Sequence, residues 1–120
     1  MKRVFISYPM NGVDPKEIAV SRAVLSLTAQ YIVDFGEEVE VIDNWGCSGK
    51  DSDGRLYYLG EAIKKMDKCD IVVFHPSFRR ATGCIIEHEV AERYGLETRE
   101  LEYGAYEVMR SLYLAGKLKP

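Results

Sequence analysis

Apolar positions along the chain change period several times, and each change predicts an element. Val4-Phe5-Ile6 is a short β-prone run. Asn11, Gly12, Asp14 and Pro15 then punctuate, with Asp14-Pro15 suited to an N-cap and a first helical proline. Val20, Val24, Leu27 and Tyr31 recur at helical spacing and predict a helix from about residue 15 to 35, stopped by Gly36. Val39, Val41 and Ile42 around Glu40 predict a second strand. Leu59, Ile63 and Met66 mark a second helix, with Glu61, Lys64, Lys65 and Lys68 as its solvated face. Ile71 to Phe74 is a continuous apolar run, as a central parallel strand requires. Ile86, Val90 and Tyr94 share one face of a third helix ended by Gly95. A polar stretch near 97–102 reads as a fourth, edge strand. Ala105, Val108, Leu112 and Ala115 form the sheet-covering face of a last helix, leaving Tyr106 and Tyr113 for a partner.

This alternation implies a parallel sheet covered by helices on both faces. Ligands of such sheets bind beyond the carboxyl ends of the strands. Four loops fall there: Ser7–Asp14, Asp43–Gly54, His75–Gly83 and the turn at Tyr103. They are also the loops richest in polar, aromatic and glycine residues.

Composition narrows the classes. The 120 residues suit one domain spanning 1–120, and 47% hydrophobic with 29% charged residues is ordinary globular usage. A net charge of −3 disfavours a nucleic-acid polymer as partner, though backbone amides can still hold a small anion. No apolar run approaches the length of a membrane span, and Ser7, Tyr8 and Pro9 break the N-terminal stretch too early for a signal peptide. Cys47, Cys69 and Cys84 are odd in number and widely spaced. They read as reduced thiols of a cytoplasmic protein, not as disulfides or a zinc site. Neither a GxGxxG nor a P-loop pattern is present, and the scattered acids and two histidines give no metal signature.

Chemistry concentrates in two segments. Ser7-Tyr8-Pro9-Met10-Asn11-Gly12 links a strand to a helix and can present amides to an anion. In His75 to Glu87, Gly83 opens a helix and Glu87 follows about one turn in, where the helix dipole favours an ionised carboxylate. Such a carboxylate serves either the helix alone or a reaction, as nucleophile or base. Ser77, Arg79 and Arg80 can grip a phosphate. His75 ends a strand, where it either lines the expected pocket or is a satisfied structural histidine, whereas His88 points elsewhere. Trp45, Tyr57 and Tyr58 can wall a base-sized pocket, or pack in the core.

Three marks in order resemble the nucleoside 2-deoxyribosyltransferase-like superfamily, including its deoxynucleoside-monophosphate N-glycosidase branch. They are Ser7-Tyr8-Pro9-Met10-Asn11-Gly12, the strand led by Asp70 (Asp70-Ile71-Val72-Val73), and Gly83, Glu87 and Ala91 with Tyr94-Gly95 closing the helix. The resemblance covers roughly residues 2–100. It implies a Rossmann-like or flavodoxin-like three-layer α/β sandwich with a four- to five-stranded parallel sheet. It implies cleavage or transfer at the N-glycosidic bond of a (deoxy)nucleoside or its 5′-monophosphate, without metal or cofactor. Glu87 takes the place of the nucleophile and Ser77 that of a phosphate-binding serine. The segment Ser77 to Thr82 lacks the family's acid for the leaving base, which leaves Asp43 or Asp70 as candidates. The resemblance also implies a homodimer or homotetramer. A protein that binds nucleotides without turning them over is the alternative.

Overall fold

The computed structural model describes residues 1–32, 37–44 and 54–118. Trp45, Cys47 and the predicted helix stop at Gly36 lie outside them. Four strands, β1 (Lys2–Ser7), β2 (Val39–Ile42), β3 (Ile71–Phe74) and β4 (Glu97–Glu100), form one parallel sheet in the order β2-β1-β3-β4. Four helices, α1 (Pro15–Tyr31), α2 (Arg55–Met66), α3 (Thr82–Arg93) and α4 (Tyr103–Leu114), complete a single α/β domain.

Strand alternation sorts the side chains into two cores. Phe5, Val72 and Phe74 pack with Ala62 and Met66 of α2 and with Cys84 and Ala91 of α3. Val4, Ile6, Tyr8, Ile71 and Val73 pack with Ile18, Leu25 and Ala29 of α1. Helix α4 joins the α1 side, where the Tyr106 hydroxyl meets Ser21 Oγ at 3.1 Å. The result is the three-layer sandwich that the alternation predicts. At β4 the sheet ends in Glu97, Arg99 and Glu100, all exposed charges that discourage pairing with another chain.

Local signals account for the ends of α1. Asp14 Oδ1 accepts from the Lys16 amide at 2.8 Å, and Pro15 takes the first helical position. The helix closes at Tyr31, earlier than the predicted residue 35. Ile32 caps it, its amide bonded to Thr28 O, and packs on the α1-side core. Of the expected face, Val24 and Leu27 are buried, Val20 is half-buried and Tyr31 is exposed, while Ile18, Ser21, Leu25, Thr28 and Ala29 are buried beside them.

Helix α4 is rotated from the sequence expectation. Tyr106 is 4% exposed and Val108 61%. Polar bonds decide the rotation: Tyr106 to Ser21, Thr28 Oγ1 to Met109 Sδ at 3.2 Å, and Arg110 to Glu17. Those bonds are available only if the 106/109/110 face turns inward. The face expected to cover the sheet, Ala105 and Val108, is therefore outside, and Tyr106 is not free for a partner chain.

Candidate active site

Strand order reverses between β1 and β3, the neighbours whose following connections run to opposite sides of the sheet. Their carboxyl ends meet there: Ser7 pairs with Phe74, and the His75 amide donates to Ser7 O at 2.9 Å. Because Ser7 shares the face of Phe5, its side chain turns toward α3. Glu87, the sixth residue of α3, comes to meet it. Ser7 Oγ–H donates to Glu87 Oε1 at 2.6 Å, with Ser7 2% and Glu87 9% exposed. Among the described residues Glu87 Oε2 makes no further hydrogen bond.

Burial pushes the Glu87 carboxyl up from the ordinary 4.5 to about 7, and the Ser7 bond only partly offsets it. This reverses the expectation that the helix dipole holds Glu87 ionised. Loss of water near a buried carboxylate outweighs a helix terminus that lies more than a turn away. Cys84, one turn earlier, sits by the Ser7 hydroxyl and Glu87. Burial raises its thiol to about 12, so it stays protonated. Gly83 is exposed, and a Cβ there would meet nothing within 4 Å.

The first loop divides. Tyr8 turns into the α1-side core, while Met10, Asn11 and Gly12 are exposed. Gly12 adopts φ +76°, a left-handed conformation suited to glycine, and the Val13 amide closes the turn onto Met10 O at 3.3 Å. The Tyr8 hydroxyl is fully buried without a partner of good hydrogen-bond geometry among the described residues. Burial and the nearby Asp43 carboxylate raise its pKa above the ordinary value.

The two reserve acids part company. Asp43 follows β2 at the carboxyl edge, where its Oδ2 accepts from Arg22 Nε at 2.7 Å and its backbone oxygen from Lys65 Nζ. Asp70 precedes β3 at the amino edge, where its Oδ2 accepts from the Arg3 amide at 2.9 Å. A whole strand separates Asp70 from the Ser7–Glu87 pair, so the expected catalytic role for it does not fit. Its place is that of a strand-start anchor.

His75 and Ser77 lie on the other side of the sheet plane. His75 Nδ1 accepts from the Ser77 amide at 2.9 Å, and its ring meets Tyr106 at 4.5 Å and 64°. Burial lowers His75 to about 4, so it is neutral. Ser77 Oγ is bonded to the Tyr103 hydroxyl at 2.7 Å. Arg79 does not join Ser77 as a phosphate grip: it pairs with Glu100 at 3.2 Å and covers the Phe78 ring. His88 stacks on Phe78 and pairs with Glu100 at 3.0 Å, away from the pocket as expected.

His75, Ser77 and Tyr103 wall a cleft of about 360 Å³ with Pro9, Glu17, Ser21, Tyr106 and Arg110. Sequence reasoning missed Glu17, Ser21 and Arg110. Ser21 carried a signal, since a hydroxyl at i+3 from Ile18 and i−4 from Leu25 falls on the buried stripe and calls for a partner. Among the described residues, no group of three His, Cys, Asp or Glu is arranged for a metal ion, and no helix is long and apolar enough to cross a membrane.

Fold and geometry together define a parallel α/β domain with a buried carboxylate–hydroxyl pair at its strand-order reversal. In comparisons with family models, curated proteins and solved structures, nothing matches this chain.

Proposed function

We propose that the protein breaks or exchanges the N-glycosidic bond of a (deoxy)nucleoside or its 5′-monophosphate, with Glu87 as the nucleophile. The observation that carries this reading is the 2.6 Å bond from Ser7 to a buried Glu87 at the edge where such sheets bind ligands. Ser7 fixes Oε1 and so orients Oε2. Oε2 attacks C1′ of the sugar, and the electron pair of the C1′–N bond leaves with the base, which takes up a proton. The product is a glycosyl ester of Glu87. Water attacking C1′ then restores the carboxylate and yields a free sugar; a second base in its place yields a new nucleoside.

Burial aids the first step. A carboxylate raised to about 7 is destabilised in its charged form, and bonding to C1′ removes that charge. Among the described residues, the amides of exposed Met10, Asn11 and Gly12 make no backbone hydrogen bond, and they are the place for a 5′-phosphate.

One observation favours the second reading, binding without turnover. Asp43 is engaged by Arg22 and Asp70 stands at the far edge, so neither bonds to Ser7 or Glu87. Incubation with nucleosides, deoxynucleosides and their 5′-monophosphates, followed by chromatography for free base, separates the two. Base release that Glu87→Gln abolishes supports the glycosidic reading. Binding with no release from any of them supports the other.

A further inference from the structure

The cleft on the α1/α4 side has a chemistry of its own. Pro9, Tyr103 and Tyr106 supply flat or aromatic wall, and its volume of about 360 Å³ is at the lower end for small-molecule sites. His75, only 9% exposed, forms part of its wall. Its Nδ1 accepts from the Ser77 amide, so in the neutral ring the proton sits on Nε2. That N–H meets no hydrogen-bond partner among the described residues. Nor is it sealed off, because the Tyr8 hydroxyl is the sole fully buried side-chain N or O atom there without a partner. The ring cannot easily turn away, held by Ser77 on one edge and by the Tyr106 ring at 4.5 Å.

Charge decides which ligand suits this wall. Glu17 and Glu107 line the cleft against one cation, Arg110, which is paired with Glu17. Two helix N-termini also open on it, α1 and α4, each worth roughly half a positive charge. Each already carries its own carboxylates: Asp14 caps α1 with Glu17 in its first turn, and Glu102 precedes α4 with Glu107 inside it. The positive ends are thus answered before a ligand arrives, and a phosphate dianion would meet net negative charge. A hydrogen-bonding but uncharged ring meets no such opposition.

We propose that this cleft receives an uncharged heteroaromatic ring, the base of the nucleoside, with His75 Nε2–H donating to a ring acceptor, and that it excludes phosphate. Calling the ring the substrate's base rests on the N-glycosidic reading; the binding itself does not. The placement is consistent with that reading, because the His75 amide bonds to Ser7 O while the Ser7 hydroxyl bonds to Glu87. Ser77, expected to hold phosphate, then faces the base.

Free adenine, guanine, cytosine, uracil and thymine serve as probes, since none can undergo glycosidic chemistry. Binding to the full chain is followed by titration calorimetry and by the imidazole NMR signals of His75. At least one base binds and shifts them. His75→Phe keeps a ring against Tyr106 and loses the donor, weakening that base roughly tenfold, the scale of one hydrogen bond. Tyr103→Phe, which leaves the fold intact at an exposed site, checks the same wall by shifting the affinity of the same base. Inorganic phosphate at millimolar concentration does not displace the base. The proposal is overturned if no base binds, if folded His75→Phe binds as tightly as the parent, or if phosphate competes. Failure of the glycosidic reading looks different: base binding is intact and no nucleoside is cleaved.

Discussion

Replacing Glu87 by Gln should stabilise the protein increasingly as pH rises above 4.5. The carboxyl titrates near 7 in the folded chain against an ordinary 4.5, because burial removes water from its charged form. The folded state therefore binds the proton more tightly than the unfolded chain. The stabilisation from that proton is full below pH 4.5 and is lost as pH rises through 7. A shift from 4.5 to about 7 corresponds to about 3 kcal/mol by pH 8. Glutamine keeps the shape and an oxygen for the Ser7 hydroxyl but never carries the charge. Its advantage over the parent is near zero at pH 4.5 and grows to about 3 kcal/mol at pH 8. His75 titrates with the opposite sign. Burial lowers it from 6.5 to about 4, so its contribution is full above pH 6.5 and is lost as pH falls through 4. Between pH 4.5 and 6.5 the two slopes oppose one another in the parent chain, and Glu87→Gln uncovers the rise with pH due to His75. Urea unfolding followed by circular dichroism, at half-unit steps from pH 4.5 to 8, reads both curves. A Glu87→Gln advantage that is the same at every pH, or a parent more stable than the variant at pH 8, refutes the burial of an ionisable carboxyl at this position.

Other expectations follow from single contacts. Ser7→Ala removes the bond that favours the Glu87 carboxylate, so the alkaline-going limb of base release moves to higher pH; a pH–rate profile identical to the parent's counts against the pair. Tyr106→Phe loses the Ser21 bond and about 1 kcal/mol in urea, whereas Val108→Ala on the same helix changes stability by less than about 0.5 kcal/mol. The reverse ranking would mean that α4 presents its other face. Asp70→Asn leaves the rate of base release at the parent level, since Asp70 anchors the opposite edge of the sheet; a large loss would return it to the site.

The layers of the fold were legible because parallel strands and amphipathic helices write themselves in period. Ile71 to Phe74 is wholly buried, as its unbroken apolar run demanded, and β4 is as polar as an edge strand can be. What misled was treating apolarity as the sole reason to face inward. Tyr106 and Arg110 turn in because Ser21 and Glu17 await them across α1, partners more than 80 residues away that no local window contains. Glu87 stood out by its motif, but its ionisation did not: the dipole of α3 is visible in the sequence, and the burial that overrides it is not. Asp70 misled for a third reason. A residue that leads a strand stands at the amino edge, and only residues that follow a strand reach the ligand side.

The central claim is tested most directly by base release at pH 8, where Glu87 is ionised in most molecules. Parent, Glu87→Gln and Glu87→Ala chains are each incubated with the nucleoside or nucleotide that the parent turns over best, and quenched samples are weighed by mass spectrometry both intact and after digestion. The expected result is release by the parent alone, with a fraction of parent chains heavier by one glycosyl group on the peptide containing Glu87. Undiminished release by folded Glu87→Gln, with no sugar on any chain, would contradict it.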